Sequence, residues 1–298
     1  MSNNIKGTIY AVAAAFFWSL LVLFSRWLNG IDIFAMEVAQ IRLTVGALAL
    51  AVYIFFTQRE QFKIRWQDLW IFVGTGAFSV LLFTVFYFMS LEQASIPVAS
   101  VLIGMSPIYV TVNSMLLFKE KMTRSKLWAL VLSIVGCVLV SGVFSGFESS
   151  LSGILLALAA GFCYSYYPIF SRFAINRGYK SWTIVFYSFL MASIGCSFLS
   201  DWGHIARTLV SVGSAWVLYL GLGLLTGFFA YVSFSKALEC MESTRATVAS
   251  CSESAFCILL GIVFFNEWPD WLGFVGLVLT LAALYVLNMD KEECRERS

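Results

Sequence analysis

The sequence predicts an all-α integral membrane protein of ten transmembrane helices, arranged as two inverted five-helix repeats with both termini cytoplasmic. Three observations carry this reading. The first is composition: 60% of the 298 residues are hydrophobic, 12% are charged and the mean hydropathy is +0.85, whereas soluble domains carry about 25% charged residues. The second is spacing. Apolar stretches run roughly over 7–28, 34–56, 68–91, 97–118, 125–143, 152–174, 182–200, 214–237, 246–265 and 271–288. About 20 residues at ~1.5 Å each cross a hydrocarbon core of ~30 Å. The third is internal similarity: GTIYAVAAAFFWSLLVLFSR (7–26) matches GILLALAAGFCYSYYPIFSR (153–172), pairing Gly7 with Gly153, Ser19 with Ser165 and Arg26 with Arg172. Further on, Leu91-Glu92 matches Leu238-Glu239, a register that also pairs Phe118 with Phe265 and Glu120 with Glu267.

Orientation follows from lysine and arginine. With the N-terminus inside, sixteen of the nineteen basic residues fall on inner segments, from Lys6 through Arg59, Lys63 and Arg65 to Lys291, Arg295 and Arg297. Arg26 and Arg207 lie near outer segments and Arg42 lies inside a span. The positive-inside rule therefore places both ends in the cytoplasm. Because five is odd, the second copy enters the membrane from the opposite side. The expected domains are 1–146, 147–290 and a cytoplasmic tail, 291–298. Inverted repeats of this kind hold their binding site near the bilayer midplane.

Several function classes drop out. The chain has one histidine, His204, and no HExxH, GxSxG or P-loop pattern, so neither a catalytic set, a metal site nor a cofactor is expected. Its seven cysteines form no CxxC and read as small apolar packing residues. The net charge of +2 is accounted for by topology, which leaves no case for a nucleic-acid partner. Only Lys6 precedes the first apolar run, which reads as a retained helix rather than a cleaved signal.

The candidate site begins at Glu253 in ATVASCSESAFCILLGIVFFNEW (246–268), on the order of 10 Å into the bilayer. A charged group near a helix centre costs roughly 2.5–3.5 kcal/mol, so it faces a cavity or a partner. Arg42 lies in the outer half of the second span; it either holds a substrate carboxylate or, the favoured expectation, has a structural role, pairing with Glu37 or with helix-end carbonyls. Glu37 and Gln40 are placed near the outer interface. Ser106 and Asn113 stand seven apart, on one helical face. Trp18 and Tyr164 occupy equivalent depths in the two copies, and Tyr87 and Tyr231 lie well inside spans. Gly223-xxx-Gly227, like Gly74, Gly76 and Gly136, reads as close helix packing. Pro168 should bend the sixth span alone. Glu120 and Glu267 end helices whose dipoles they oppose, with Lys119 and Lys121 available to offset Glu120.

These motifs together resemble the drug/metabolite transporter superfamily, specifically its EamA branch. The resemblance covers nearly the whole chain: IGMSPIYVTVNSMLLFKE with Ser106-Pro107 and Glu120, SCSESAFCILLGIVFFNE with Glu253 and Glu267, and Arg42 in RLTVGAL. Ser254 stands where the family often has proline after the glutamate, so the two halves are expected to bend unequally, with the kink at Pro107. The resemblance implies a secondary transporter in the bacterial plasma (inner) membrane that exports small metabolites such as amino acids. Its partners would be the metabolite, membrane lipid and protons as a candidate coupling ion, in a monomer or else a dimer. A proton-coupled multidrug exporter and a non-transporting receptor or assembly subunit are the alternatives.

Overall fold

A computed structural model of the chain describes residues 3–91, 93–94, 96–140, 150–266, 268 and 270–296, and no strand occurs among them. The elements are α1 (Asn3–Asn29), α2 (Ala35–Thr57), α3 (Leu69–Val73), a π-helical segment π1 (Gly74–Leu81), α4 (Leu82–Leu91), α5 (Ile96–Gly104), α6 (Ser106–Phe118) and α7 (Arg124–Val140). They continue with α8 (Leu151–Asn176), α9 (Ser181–Ser197), α10 (Trp202–Ser211), α11 (Ala215–Gly221), a second π segment π2 (Leu222–Phe229), α12 (Ala230–Cys240), α13 (Ser243–Ser250), α14 (Glu253–Phe265) and α15 (Trp271–Glu296). The tail expected from residue 291 thus begins as a continuation of α15.

Among the described residues, six helices are long and apolar enough to cross a bilayer, or up to seven if Ser181–Ser197 and Trp202–Ser211, bent by 100° from one another, form one span. Leu102–Phe118 and Trp271–Leu287 are shorter apolar helices. The architecture is therefore a multi-pass helical membrane protein, a coarser result than the ten crossings expected. The connection expected at 200–214 instead contains α10. Asp201 caps it, its carboxylate accepting the His204 amide at 3.0 Å. Ile205 and Thr208 face inward while Leu209 and Val210 stay exposed. Such a helix carries its apolar residues on one side, which a hydropathy window built for spans averages away. Pro168 lies inside an α8 that continues unbroken past it.

The helices pair in a pattern that repeats. α1 packs on π2 and α12, and α8 packs on π1 and α4; α2 packs on α9, α6 on α13 and α7 on α15. Glycine permits the closest approaches. A Cβ at Gly7 would stand 2.9 Å from Met241, and one at Gly153, 146 residues on, 2.7 Å from the backbone of Gln93. π1 lies on Ser188 and Met191 of α9, and π2 on Val45 and the Arg42 carbonyl of α2; residues 42 and 188, like 45 and 191, are 146 apart. Gly223 and Gly227 are both used in that contact with α2, so this small-xxx-small pair packs internally. The π segments begin 148 residues apart. In the first, the Ser79 hydroxyl donates to the Gly74 carbonyl at 2.9 Å, five residues back.

One end of the bundle gathers most of the basic residues. There Arg172 donates to the Leu238 and Met241 carbonyls at 2.8 and 3.1 Å, Arg177 pairs with Asp68, and Tyr179 donates to Asp68 at 2.7 Å. Glu239 accepts the amide and hydroxyl of Ser181. At the other end the Ser150 amide and hydroxyl donate to the Gln93 carbonyl.

A Cβ at Gly76 would lie 2.8 Å from the Ser188 carbonyl, and one at Gly136 2.9 Å from the Gly276 carbonyl, so backbone itself must move; Gly213 has open space around it. Gly76→Ala and Gly136→Ala should each cost about 1–3 kcal/mol, read as a lowered melting temperature in detergent. Gly213→Ala should leave it unchanged. Equal melting temperatures for all three would contradict the packing described.

Candidate functional site

The site is built where two helices lose their regular hydrogen bonding. α5 gives way to α6 at Met105 (φ −78°, ψ −4°), and α13 gives way to α14 at Cys251 and Ser252 (ψ −13° and −11°). In the first case the cause is Pro107, the second residue of α6, which has no N–H to give. The second has no proline, and the two halves were expected to differ for that reason; both are interrupted. Serines cluster there instead. The hydroxyls of Ser250, Ser252 and Ser254 donate to the carbonyls of Thr247, Ala249 and Cys251 at 2.8–2.9 Å. Side chains that bond three residues back compete with the backbone ladder and bend helices.

The interruption gives Glu253 a particular place. It is the first residue of α14, where a carboxylate meets the positive end of the helix dipole. Ser106 is the first residue of α6, 147 residues earlier. Two membrane helices thus present corresponding positions, one with a carboxylate and one with a hydroxyl.

Around Glu253 the structure gathers residues from five other helices. Arg42 of α2 and Cys137 of α7 lie within electrostatic reach of its carboxylate. So do Tyr87 of α4, Tyr164 of α8 and Tyr231 of α12. Among the described residues Glu253 and Arg42 form no ion pair with each other or with any third group, and the Nε of Arg42, a buried side chain, has no partner. The hydroxyls of Tyr87, Tyr164 and Tyr231 likewise have no hydrogen-bond partner among the described residues. One carboxylate, one guanidinium and three phenols keep unspent bonding capacity in one region of the membrane. Buried polar groups normally find partners inside the protein, so such a set marks a place for something else to bind.

Aromatic packing fixes the phenols. Tyr231 meets Trp18 edge-on at 5.3 Å, Phe189 at 4.7 Å and Tyr167 at 5.3 Å. Tyr164 packs on Phe83 at 5.1 Å, and Phe83 stacks on Tyr87 at 5.8 Å. Trp18 and Tyr164 are 146 residues apart, and Phe83 and Tyr231 are 148 apart. The same ring pair therefore occurs twice, with the hydroxyl on opposite members. Trp18 is 5% exposed and also packs on Phe234 at 5.2 Å; it supports Tyr231 from behind.

Other expectations need correcting. Glu37 does not pair with Arg42. It accepts the Phe34 amide at 3.0 Å, closing the start of α2, and sits 2.7 Å from His204 Nδ1. Gln40 is fully buried inside the bundle; it donates to Thr44 at 2.7 Å and to Ser193 at 3.1 Å. The expected Glu37–Arg42 pair does not form, and α9 and α10 supply partners from far away in sequence. Ser106 is buried, whereas Asn113 lies off the buried face of α6 and makes no hydrogen bond among the described residues. Glu120 is offset by the amides of Ser243 and Thr244 at 3.1 and 3.5 Å rather than by its neighbouring lysines. Glu267 lies outside the described residues. No metal-ligand cluster occurs among the described residues. The sequence reading missed the supporting rings Phe83, Phe189 and Phe234, since nothing separates three phenylalanines from the other twenty-five.

Comparison with known proteins agrees with this architecture. The uncharacterized transporter YwfM of Bacillus subtilis is 27% identical over 295 residues, covering 95% of each chain. An uncharacterized transporter of Archaeoglobus fulgidus is 26% identical over 252 residues, 84% of this chain and 87% of its own. The pseudopaline exporter CntI of Pseudomonas aeruginosa is 24% identical over 289 residues, 96% of this chain and 97% of its own. A solved crystal structure superposes with a TM-score of 0.80 over 97% of this chain and 98% of the other, at 17% identity, a likeness of fold alone. The profile of the EamA-like transporter family matches residues 5–142 and again 151–289. The chain is therefore a transporter and not an enzyme, and it belongs to the EamA-like transporter family.

Proposed function

We propose that the protein is a secondary transporter exporting a small zwitterionic metabolite of the amino-acid class across the bacterial inner membrane, by alternating access between two inverted five-helix halves. The observation that carries the proposal is the unpaired set around Glu253. A substrate ammonium group matches its carboxylate, a substrate carboxylate matches the planar fork of Arg42, and the three phenols serve as donors or acceptors. The positive-inside rule assigns the basic end of the bundle to the cytoplasm, and export is supported by the likeness to an exporter. Inversion is supported by the swapped pairing of α1 on α12 against α8 on α4, and by the family match to each half. Protons are a coupling ion this site accommodates, since a carboxylate in low dielectric changes its charge at moderate cost.

The balance of charge separates this reading from export of lipophilic cations. A free cation in the region gains from Glu253 and is repelled by Arg42; a zwitterion gains from both. Coulomb terms at effective dielectric ~20 are of order several kcal/mol at contact, enough for that difference to decide the substrate class.

Hydrogen bonds to charged groups are worth about 1.5–3 kcal/mol, or roughly 10- to 150-fold. In proteoliposomes, Glu253→Gln and Arg42→Ala should each lower amino-acid flux by that factor at subsaturating concentration, with Arg42→Lys partly retained. Flux equal to wild type in Glu253→Gln would remove Glu253 from the mechanism. Competition gives a second check: an amino acid should outcompete its decarboxylated amine on wild type, and Arg42→Ala should abolish that preference. A preference that survives the substitution would move the carboxylate contact elsewhere.

A further inference from the structure

We infer that Glu120 is the latch of the gate at the basic end of the bundle, and that the structure shows that gate shut while the opposite end is open. The inference rests on the alternating-access reading above and adds to it the residue that holds one state.

Four observations lead to it. First, Glu120, just beyond the C-terminus of α6, reaches across to the other half and caps α13. Its carboxylate accepts the Ser243 amide at 3.1 Å, the Thr244 amide at 3.5 Å and the Thr244 hydroxyl at 2.9 Å. It thereby satisfies amides that a helix start leaves free, and places a negative charge at the positive end of α13. Second, a neighbouring pair repeats the link. Lys126, 3% exposed on α7, donates to the Lys121 carbonyl at 2.8 Å and pairs with Glu242, the residue before α13. Third, all eight residues of α13 are buried, whereas Ala255 is the buried residue of the thirteen in α14. Fourth, α6 packs on α13 but α5 and α14, the other halves of the same two interrupted helices, share no comparable packing among the described residues. The two helices touch at one end and separate at the other.

A bundle that moves as two rigid bodies about a central site closes one end as it opens the other. Contacts present only in the closed state of one end set the balance between states. The three bonds from Glu120 join the first half to the second across that end, and they break when it opens. Glu120 touches none of the groups around Glu253, so its role is to position the halves.

Hydrogen–deuterium exchange of the full-length protein in lipid nanodiscs, without solute, tests this. For Glu120→Ala, exchange over 243–250 should rise about fivefold or more, while exchange over 253–265 falls about twofold as the far end closes. The fall is the informative change, because loss of a purely local cap leaves 253–265 untouched. Unchanged exchange over 253–265, or a rise there alongside 243–250, overturns the inference. If Glu120→Ala does not yield folded protein, Thr244→Ala removes the hydroxyl donor alone and is read by the same two segments, each change smaller but of the same sign. Because no solute is present, failure of the transport assays leaves this test intact, and normal flux with uncoupled ends removes only the latch.

Discussion

Hydrocarbon cannot hydrogen-bond a peptide group, and this constraint organises the protein. A helix may be interrupted inside the membrane only where neighbouring protein or a polar space takes up the released groups. The chain interrupts two helices at matching points by different chemistry. Pro107 removes a donor from the first; the second has no proline, and the serines at 250, 252 and 254 donate back to backbone carbonyls there. Each interruption produces a fresh helix start within the membrane. At one of these starts the sequence places Glu253, where the helix dipole favours a carboxylate that would otherwise be costly at that depth.

The two halves supply a common frame, and the differences between them supply the site. Ring pairs, glycine contacts and π segments recur at offsets of 146 to 148 residues. The two charged groups of the site do not recur: Glu253 stands opposite Ser106 in the comparison of halves, and Arg42 opposite Ser188. One carboxylate comes from the second half and one guanidinium from the first. A ligand held by both therefore bridges the halves, and the binding event is coupled to their relative position without any additional device. The long π segments belong to the same arrangement. They are rare and concentrate at functional positions; here they bring backbone close to Arg42 and Ser188, the very pair of positions at which the halves differ.

Much of this was legible in the sequence, for identifiable reasons. Apolar runs of span length locate helices in a medium that allows little else, and each marked stretch is helical over most of its described residues. The intramembrane charges were legible because charge there is expensive; Glu253, Arg42, Tyr87, Tyr164 and Tyr231 do converge. What could not be read depends on partners distant in the chain. Glu37 finds His204 on α10, a short helix, so among the described residues Arg42 is left without an ion pair. Gln40 is buried by Ser193 and Thr44. Proline announces the first interruption in the sequence; the second carries no such signal, since serine hydroxyls that turn back onto the backbone also occur in the unbroken α1 and α8. Trp18, placed at the site by symmetry, packs edge-on against Tyr231.

The central claim is that one carboxylate and one guanidinium await a ligand carrying both charges, and ligand-dependent thermal stability of the purified protein tests it most directly. A ligand that binds only the folded state stabilises it by about 2.7 kcal/mol at a hundredfold excess over Kd. A zwitterionic amino acid should raise the melting temperature of the wild type, while neither its decarboxylated amine nor its N-acetylated acid does so at the same concentration. Stabilisation by lipophilic cations together with none by any zwitterion would contradict it.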